Sequence, residues 1–155
     1  MKSINCKGRL INFSTPKVMG ILNVTPNSFF DGGKYNSTNK LEEQAHKMLD
    51  EGADIIDLGA YSTQPNAPFV SEEEELNRMI PAVQQLVAAF PNIILSIDTF
   101  RAEVAKQALE NGAAIINDVS AGLLDEQMMQ VVVAFKVSYI MMHMKGTPQN
   151  MQQFT

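Results

Sequence analysis

The sequence is poor in the groups that staple or clamp a protein. One cysteine, Cys6, stands among 155 residues. No internal disulfide and no cysteine-built zinc site can form, and a reducing compartment fits. Positive charge is not in excess: 12 Lys and Arg face 17 Asp and Glu, a net of −5. Binders of nucleic acid or anionic membranes carry a basic excess, so neither is an expected partner. Long hydrophobic runs are missing too. The longest, residues 131–144, is broken by Lys136, and a membrane span needs about 20 apolar residues. Residues 1–10 hold two lysines, an arginine and no apolar core, which does not read as a signal peptide. The expectation is a soluble, cytoplasmic chain. Cys/His metal spacings, glycine-rich phosphate loops and nucleophile elbows are also absent from the sequence. Length sets a last limit: one domain fits, whereas a complete eight-fold β/α barrel needs roughly 200–250 residues.

What is present alternates between two patterns. Apolar runs at 18–22, 55–58, 93–97, 115–116 and 138–142 read as strands covered on both faces. Residues 4–13 read as a small hairpin across Lys7-Gly8. Between the strands, Leu41, Ala45, Met48 and Leu49 form a helical stripe. So do Leu76, Ile80, Val83, Val87 and Phe90; then Val104, Ala105, Ala108 and Leu109; then Leu124, Met128, Val131 and Phe135. Ser71 with Glu74 forms a capping box, and the acidic run 72–75 reads as a solvated first turn facing the positive helix end. Residues 49–57 resemble residues 109–117. In each copy a helix closes on a glycine, Gly52 or Gly112, and a buried strand begins. The expected fold class is α/β, built of parallel β/α units. About five strands and four helices fit either an open doubly wound sheet or five-eighths of a barrel.

Polar residues gather where these strands end: Asn23, Asp57, Asp98, Asn117 with Asp118, and His143. That edge carries the site in parallel α/β folds, although a strand-end Asp or Asn also caps local turns. The loops 25–38 and 59–70 are longer than ordinary βα connections, as binding loops are. His143 reads as a packed residue on a methionine-rich strand, and most of the ten methionines read as core. Met142 is held open, because a thioether packs well on a flat heterocycle.

Met19-Gly20-Ile21-Leu22-Asn23-Val24-Thr25-Pro26-Asn27-Ser28-Phe29-Phe30-Asp31-Gly32-Gly33 resembles the first signature of the dihydropteroate synthase family. Ser62-Thr63-Gln64-Pro65 stands where its second loop motif belongs. Ser96-Ile97-Asp98-Thr99, Ile115-Ile116-Asn117-Asp118-Val119 and Met142-His143-Met144-Lys145-Gly146-Thr147-Pro148 are similar to its third, fourth and fifth signatures. The resemblance implies a (β/α)8 barrel, of which residues 1–155 form a single pterin-binding domain holding strands one to five. It implies a transferase that joins para-aminobenzoate to dihydropterin-hydroxymethyl diphosphate, giving 7,8-dihydropteroate and diphosphate. Asp98 and Asn117 would bind the pterin edge and serve the chemistry. Met142 would line the pterin face, Thr63 would contact substrate, and Asn23 would help hold Mg²⁺ at the diphosphate. Asp31, Ser62, Gln64 and Pro65 would belong to loops closing on the aminobenzoate site, where sulfonamides compete. The family commonly forms homodimers.

Some positions depart from the family pattern. Asn27 stands for the usual Asp, Phe30 for a common Ser, Ala60-Tyr61 for Gly-Glu or Gly-Gln, Gln64 for Arg and Asn66 for Gly. The family's later Asp, Ser-Arg-Lys and Arg-x-His motifs lie beyond its fifth strand. A chain of 155 residues therefore reads as the N-terminal portion of a longer synthase, expected to be inactive alone, or as a non-catalytic or partner-dependent pterin-binding half-barrel. Lys145 and Arg101 are the cations nearest the strand ends.

Overall fold

Branched apolar runs become strands and the 3.6-period stripes between them become helices. A computed structural model describes residues 2–24, 36–61 and 69–146. Strands β1 (Ser3–Cys6) and β2 (Arg9–Asn12) form an antiparallel hairpin. Its turn places Lys7 at φ 53° and Gly8 at φ 84°, as a twist-matched two-residue turn requires. There follow β3 (Met19–Asn23), α1 (Asn36–Asp50), β4 (Ile55–Gly59), α2 (Glu72–Ala89), β5 (Leu95–Asp98), α3 (Ala102–Glu110), β6 (Ile115–Asp118), α4 (Met128–Phe135) and β7 (Ser138–Met141).

The main sheet runs β3-β4-β5-β6-β7, every pair parallel. The order never reverses, so the sheet has no switch point. That decides between the two architectures open from sequence: these are five consecutive β/α units in barrel order, not a doubly wound sheet. A side-chain contact agrees. Asp57 pairs in register with Ser96, and Ser96 with Ile115, yet Asp57 bonds to Asn117, two residues further on. In a barrel whose shear equals its eight strands, height slips roughly one residue per strand, so alternate strands share a layer at an offset of two.

The two faces of the sheet have different partners. Leu22, Ile56, Leu58, Leu95, Ile97 and Ile116 pack with Met79, Val83, Leu86, Val104, Ala108 and Met128 under the helix layer. Ile55, Ile94 and Ile115 instead pack with Cys6 and Ile11 of the hairpin, which covers the N-terminal ends of the strands. The internal repeat is reproduced at atomic level. Gly52 and Gly112 sit at φ 104° and 118°. The next residue in each copy donates back across the helix end, Ala53 to Met48 at 2.9 Å and Ala113 to Ala108 at 3.0 Å, the Schellman pattern.

Three expectations shift. Helix α2 buries Glu75, Met79, Ala82, Val83 and Leu86. Of the stripe read from sequence, only Val83 is among them; Leu76, Ile80, Val87 and Phe90 pack on the flank. Helix α4 starts at Met128 and turns Met128 and Val132 inward. Asp125 ties up the preceding turn through Gln127 N–H, 2.9 Å, and Met128 N–H, 3.1 Å, so Leu124 lies outside the helix and exposed. Helix α1 begins at Asn36, inside the span 25–38 read as a loop.

Candidate functional site

Each central strand carries its polarity along the inner face in one direction. Ile55, Asp57 and Gly59 follow one another on β4, then Ile94 just before β5 with Ser96 and Asp98 on it, and Ile115 and Asn117 on β6. The apolar ends rest on the hairpin and the polar ends lie at the C-terminal edge. At that edge Asn23, Gly59, Asp98 and Asn117 are successive register partners. Gly59 has a packing role: a Cβ there would lie 3.0 Å from Asn23 Oδ1 and 3.5 Å from Asp98 Oδ2. The missing side chain lets these two oxygens lean over one strand.

The environment of Asp98 is acidic and partly buried. Burial, with the charges of Asp57, Glu75 and Asp118, pushes its carboxyl up to about 7. No hydrogen bond holds the Asp98 side chain among the described residues. A carboxyl poised near neutrality and unengaged at a strand end is the pattern of a functional group. Beside it, Asn117 Nδ2 donates to Asp57 Oδ2 at 2.9 Å. Asp57 is only 4% exposed; its Oδ1 and the neighbouring Ser96 Oγ have no hydrogen-bond partner among the described residues.

Other sequence candidates fall elsewhere. Asp118 faces the helix layer as a structural anchor. Its carboxylate accepts from Ser120 N–H and Oγ–H, Gly122 N–H and the Tyr139 hydroxyl, at 2.7–2.8 Å. Met142 follows β7, 36% exposed, with its N–H on Asp118 C=O at 3.1 Å. His143 is exposed, not packed, because β7 ends at Met141 and the chain leaves the sheet before it. Asp31, Ser62, Thr63, Gln64 and Pro65 lie outside the described residues.

One group escaped the sequence. The run 72–75 is not wholly solvated. Ser71 Oγ does accept from Glu74 N–H at 3.1 Å, but Glu75 is 1% exposed. It accepts from the Thr99 hydroxyl at 2.7 Å and pairs with the Arg101 guanidinium. Burial raises its carboxyl above the usual range, against the opposing pull of Thr99 and Arg101. Arg101 also donates to Val70 C=O at 2.7 Å and lies 5.1–5.9 Å from the rings of Phe100, Tyr61 and Phe69. Tyr61, where the resembled family carries Glu or Gln, thus packs on a cation. The only signal in sequence was the one acidic residue of the run spaced to fall on the buried face with Met79, Ala82 and Leu86.

Among the described residues no three acidic, His or Cys side chains converge as a metal cage. Asn23 offers a single exposed amide oxygen. That suits a hard cation which keeps waters and takes its remaining ligands from substrate phosphates, and it does not suit a resident ion.

Residues 19–155 match the family described as "Pterin binding enzyme". The chain belongs to this family. It is 52% identical over 138 residues to the mitochondrial folate synthesis bifunctional protein of Pisum sativum, covering 87% of this chain and 27% of that one. It is 50% identical over 127 residues to dihydropteroate synthase of Staphylococcus haemolyticus, covering 82% and 47%. It superposes on Yersinia pestis dihydropteroate synthase, solved with a sulfonamide drug complex, with a TM-score of 0.85 and 39% identity, covering 98% of this chain and 55% of that one. The chain therefore spans about half the length of these bacterial synthases and about a quarter of the plant bifunctional protein.

Proposed function

We propose that this chain supplies the pterin site of a dihydropteroate synthase, which condenses para-aminobenzoate with dihydropterin-hydroxymethyl diphosphate. The observation that carries the proposal is the Asp98–Asn117 pair, register neighbours at the C-terminal strand edge in a chain of this family. A pterin edge presents N–H donors and a ring acceptor in one plane. A carboxyl and a carboxamide side by side answer it. As the C–O bond to diphosphate breaks, positive charge develops on the pterin methylene, and an ionised Asp98 favours that charge. The arylamine then attacks the methylene carbon, and no enzyme nucleophile is required. Met142 lines the pterin face and Thr63 contacts substrate in this proposal. Asn23 Oδ1 would help hold Mg²⁺, which when bound neutralises the leaving diphosphate. A cytoplasmic homodimer completes the proposal.

A second reading, a non-catalytic or partner-dependent pterin binder, has one observation in its favour. The arginines nearest the ends of β4 and β5 are both engaged by carboxylates, Arg78 by Glu74 at 2.7 Å and Arg101 by Glu75. Neither is spare for a diphosphate. Titrating the 155-residue chain with 6-hydroxymethylpterin, followed by pterin fluorescence, tests the common core of both readings. Binding is expected, and it should weaken in Asp98→Ala and in Asn117→Ala. Absent binding, or binding that neither substitution disturbs, would overturn the pterin site.

A further inference from the structure

A primary amide can face its surroundings in two orientations, and which one it adopts decides what it recognises. Asn117 stands where one orientation is forced. The nearest polar group beneath it is Asp57, a carboxylate that only accepts, and Asn117 Nδ2 lies 2.9 Å from Asp57 Oδ2. With its nitrogen turned to Asp57, the amide turns Oδ1 away from Asp57, and its register partner Asp98 stands beside it at the strand edge. The contact crosses an intervening strand. On that strand Ser96 is the register partner of Asp57 and Asp98 that of Asn117, and the contact joins equivalent positions of the internal repeat, 60 residues apart.

Asp57 is costly to keep in such a place. Its burial removes water from a carboxylate, and Oδ1 has no hydrogen-bond partner among the described residues. An apolar residue of the same volume would fill the layer without that penalty. Among the described residues Asp57 also makes no ion pair that would explain it as part of a structural network, unlike Glu75 with Arg101. What it demonstrably does is hold one amide.

We propose that Asp57 is the positioning residue for Asn117: by accepting one Nδ2 proton it fixes the amide so that Oδ1 is presented as an acceptor to a ligand N–H group, beside Asp98. The effect on a ligand rests on the pterin reading; the orientation itself does not. The site then offers one carboxyl, one fixed amide acceptor and one remaining amide proton. That set matches a planar heterocycle with adjacent N–H donors, and it disfavours one that presents only acceptors there.

The test uses the 15N-labelled 155-residue chain, with the Asn117 side-chain resonances assigned by their loss in Asn117→Asp. In wild type the Asn117 Nδ2 protons should exchange with solvent at least tenfold more slowly than those of an exposed asparagine. Exchange as fast as in an exposed asparagine overturns the proposal without any variant having to fold. In Asp57→Ala the protection should be lost, and in Asp57→Asn, which keeps an acceptor oxygen, it should persist. The affinity for 6-hydroxymethylpterin should fall roughly tenfold in Asp57→Ala, about one hydrogen bond, and recover in Asp57→Asn. Protection lost with pterin affinity unchanged overturns the recognition role. If wild type binds no pterin, the pterin reading fails, and the exchange rates still decide the orientation.

Discussion

Asp98 concentrates the electrostatic tension of the site. Burial is the larger cause, and the charges of Asp57, Glu75 and Asp118 add to it, which is why its carboxyl stands at about 7. The native state therefore holds a proton that the unfolded chain has released above pH 4. The stability that goes with that proton is complete below the unfolded value, and it is lost as pH rises through about 7. Asp98→Asn cannot ionise. Its melting temperature should vary less than that of wild type between about pH 4 and pH 8, and at the upper end it should be the more stable protein, while pterin affinity falls. Thermal melts across that range decide the point, and an unchanged slope would show that Asp98 is not the titrating group. Gly59 serves the same corner sterically. A methyl in Gly59→Ala meets Asn23 Oδ1 at 3.0 Å, the tip of an exposed side chain, and Asp98 only at ordinary contact distance. Asn23 should move and Asp98 stay. Side-chain amide shifts of Asn23 should exceed those of the Asp98 carboxyl carbon, with stability altered by less than about 1 kcal/mol.

At the scale of elements, one ion pair ties α2 to the turn after β5. Glu75 is 1% exposed and the Arg101 side chain 11%. Arg101→Ala would strand a buried carboxylate, a loss of about 3–5 kcal/mol. Arg78–Glu74 is an i,i+4 pair on the same helix with Glu74 half exposed, so Arg78→Ala should cost less than about 1 kcal/mol. Denaturant unfolding of the two variants separates them, and equal losses would show that the buried pair is not special. This pair also marks the limit of legibility. The strands, the helices and the two left-handed glycines followed from local apolar period and turn chemistry, which the chain writes directly. Four consecutive glutamates after a serine have the composition of a solvated first turn, and three of them obey it. Nothing local says that the fourth meets an arginine brought in by another strand. Asn117 and Asp118 stood undivided in the sequence for the same reason: adjacent residues on a strand face opposite ways, and only register told which of the two looks inward. The placement of Asp98 and Asn117 side by side at the strand edge, by contrast, was legible from strand-end position and resemblance. The Asp57 contact needed the tilt of the barrel.

The whole molecule is an arc of five strands whose two outer members, β3 and β7, each pair with one neighbour in the sheet. Among the described residues no further strand pairs with their outer edges, where apolar side chains are exposed: Ile21 is 65% exposed, and Met141 62%. Such edges are templates for pairing with another chain. The purified 155-residue protein should therefore self-associate as its concentration rises, measurable by sedimentation velocity. Substituting Lys for Ile21 and Met141 should reduce this. The same openness bears on catalysis. The arc gathers a carboxyl, an amide and an amide oxygen at one edge, while Arg78 and Arg101 are bound to glutamates. Removing one charge-assisted contact made in a transition state costs about 2–4 kcal/mol, or 10²–10³-fold in rate, and a leaving diphosphate needs several. The chain alone, given Mg²⁺, the pterin diphosphate and para-aminobenzoate, should bind pterin weakly and release no measurable diphosphate. Turnover near one per second, the low end of ordinary enzymes, would show that these 155 residues complete a synthase site by themselves, or do so by pairing two arcs. Sedimentation in the same buffer would tell which.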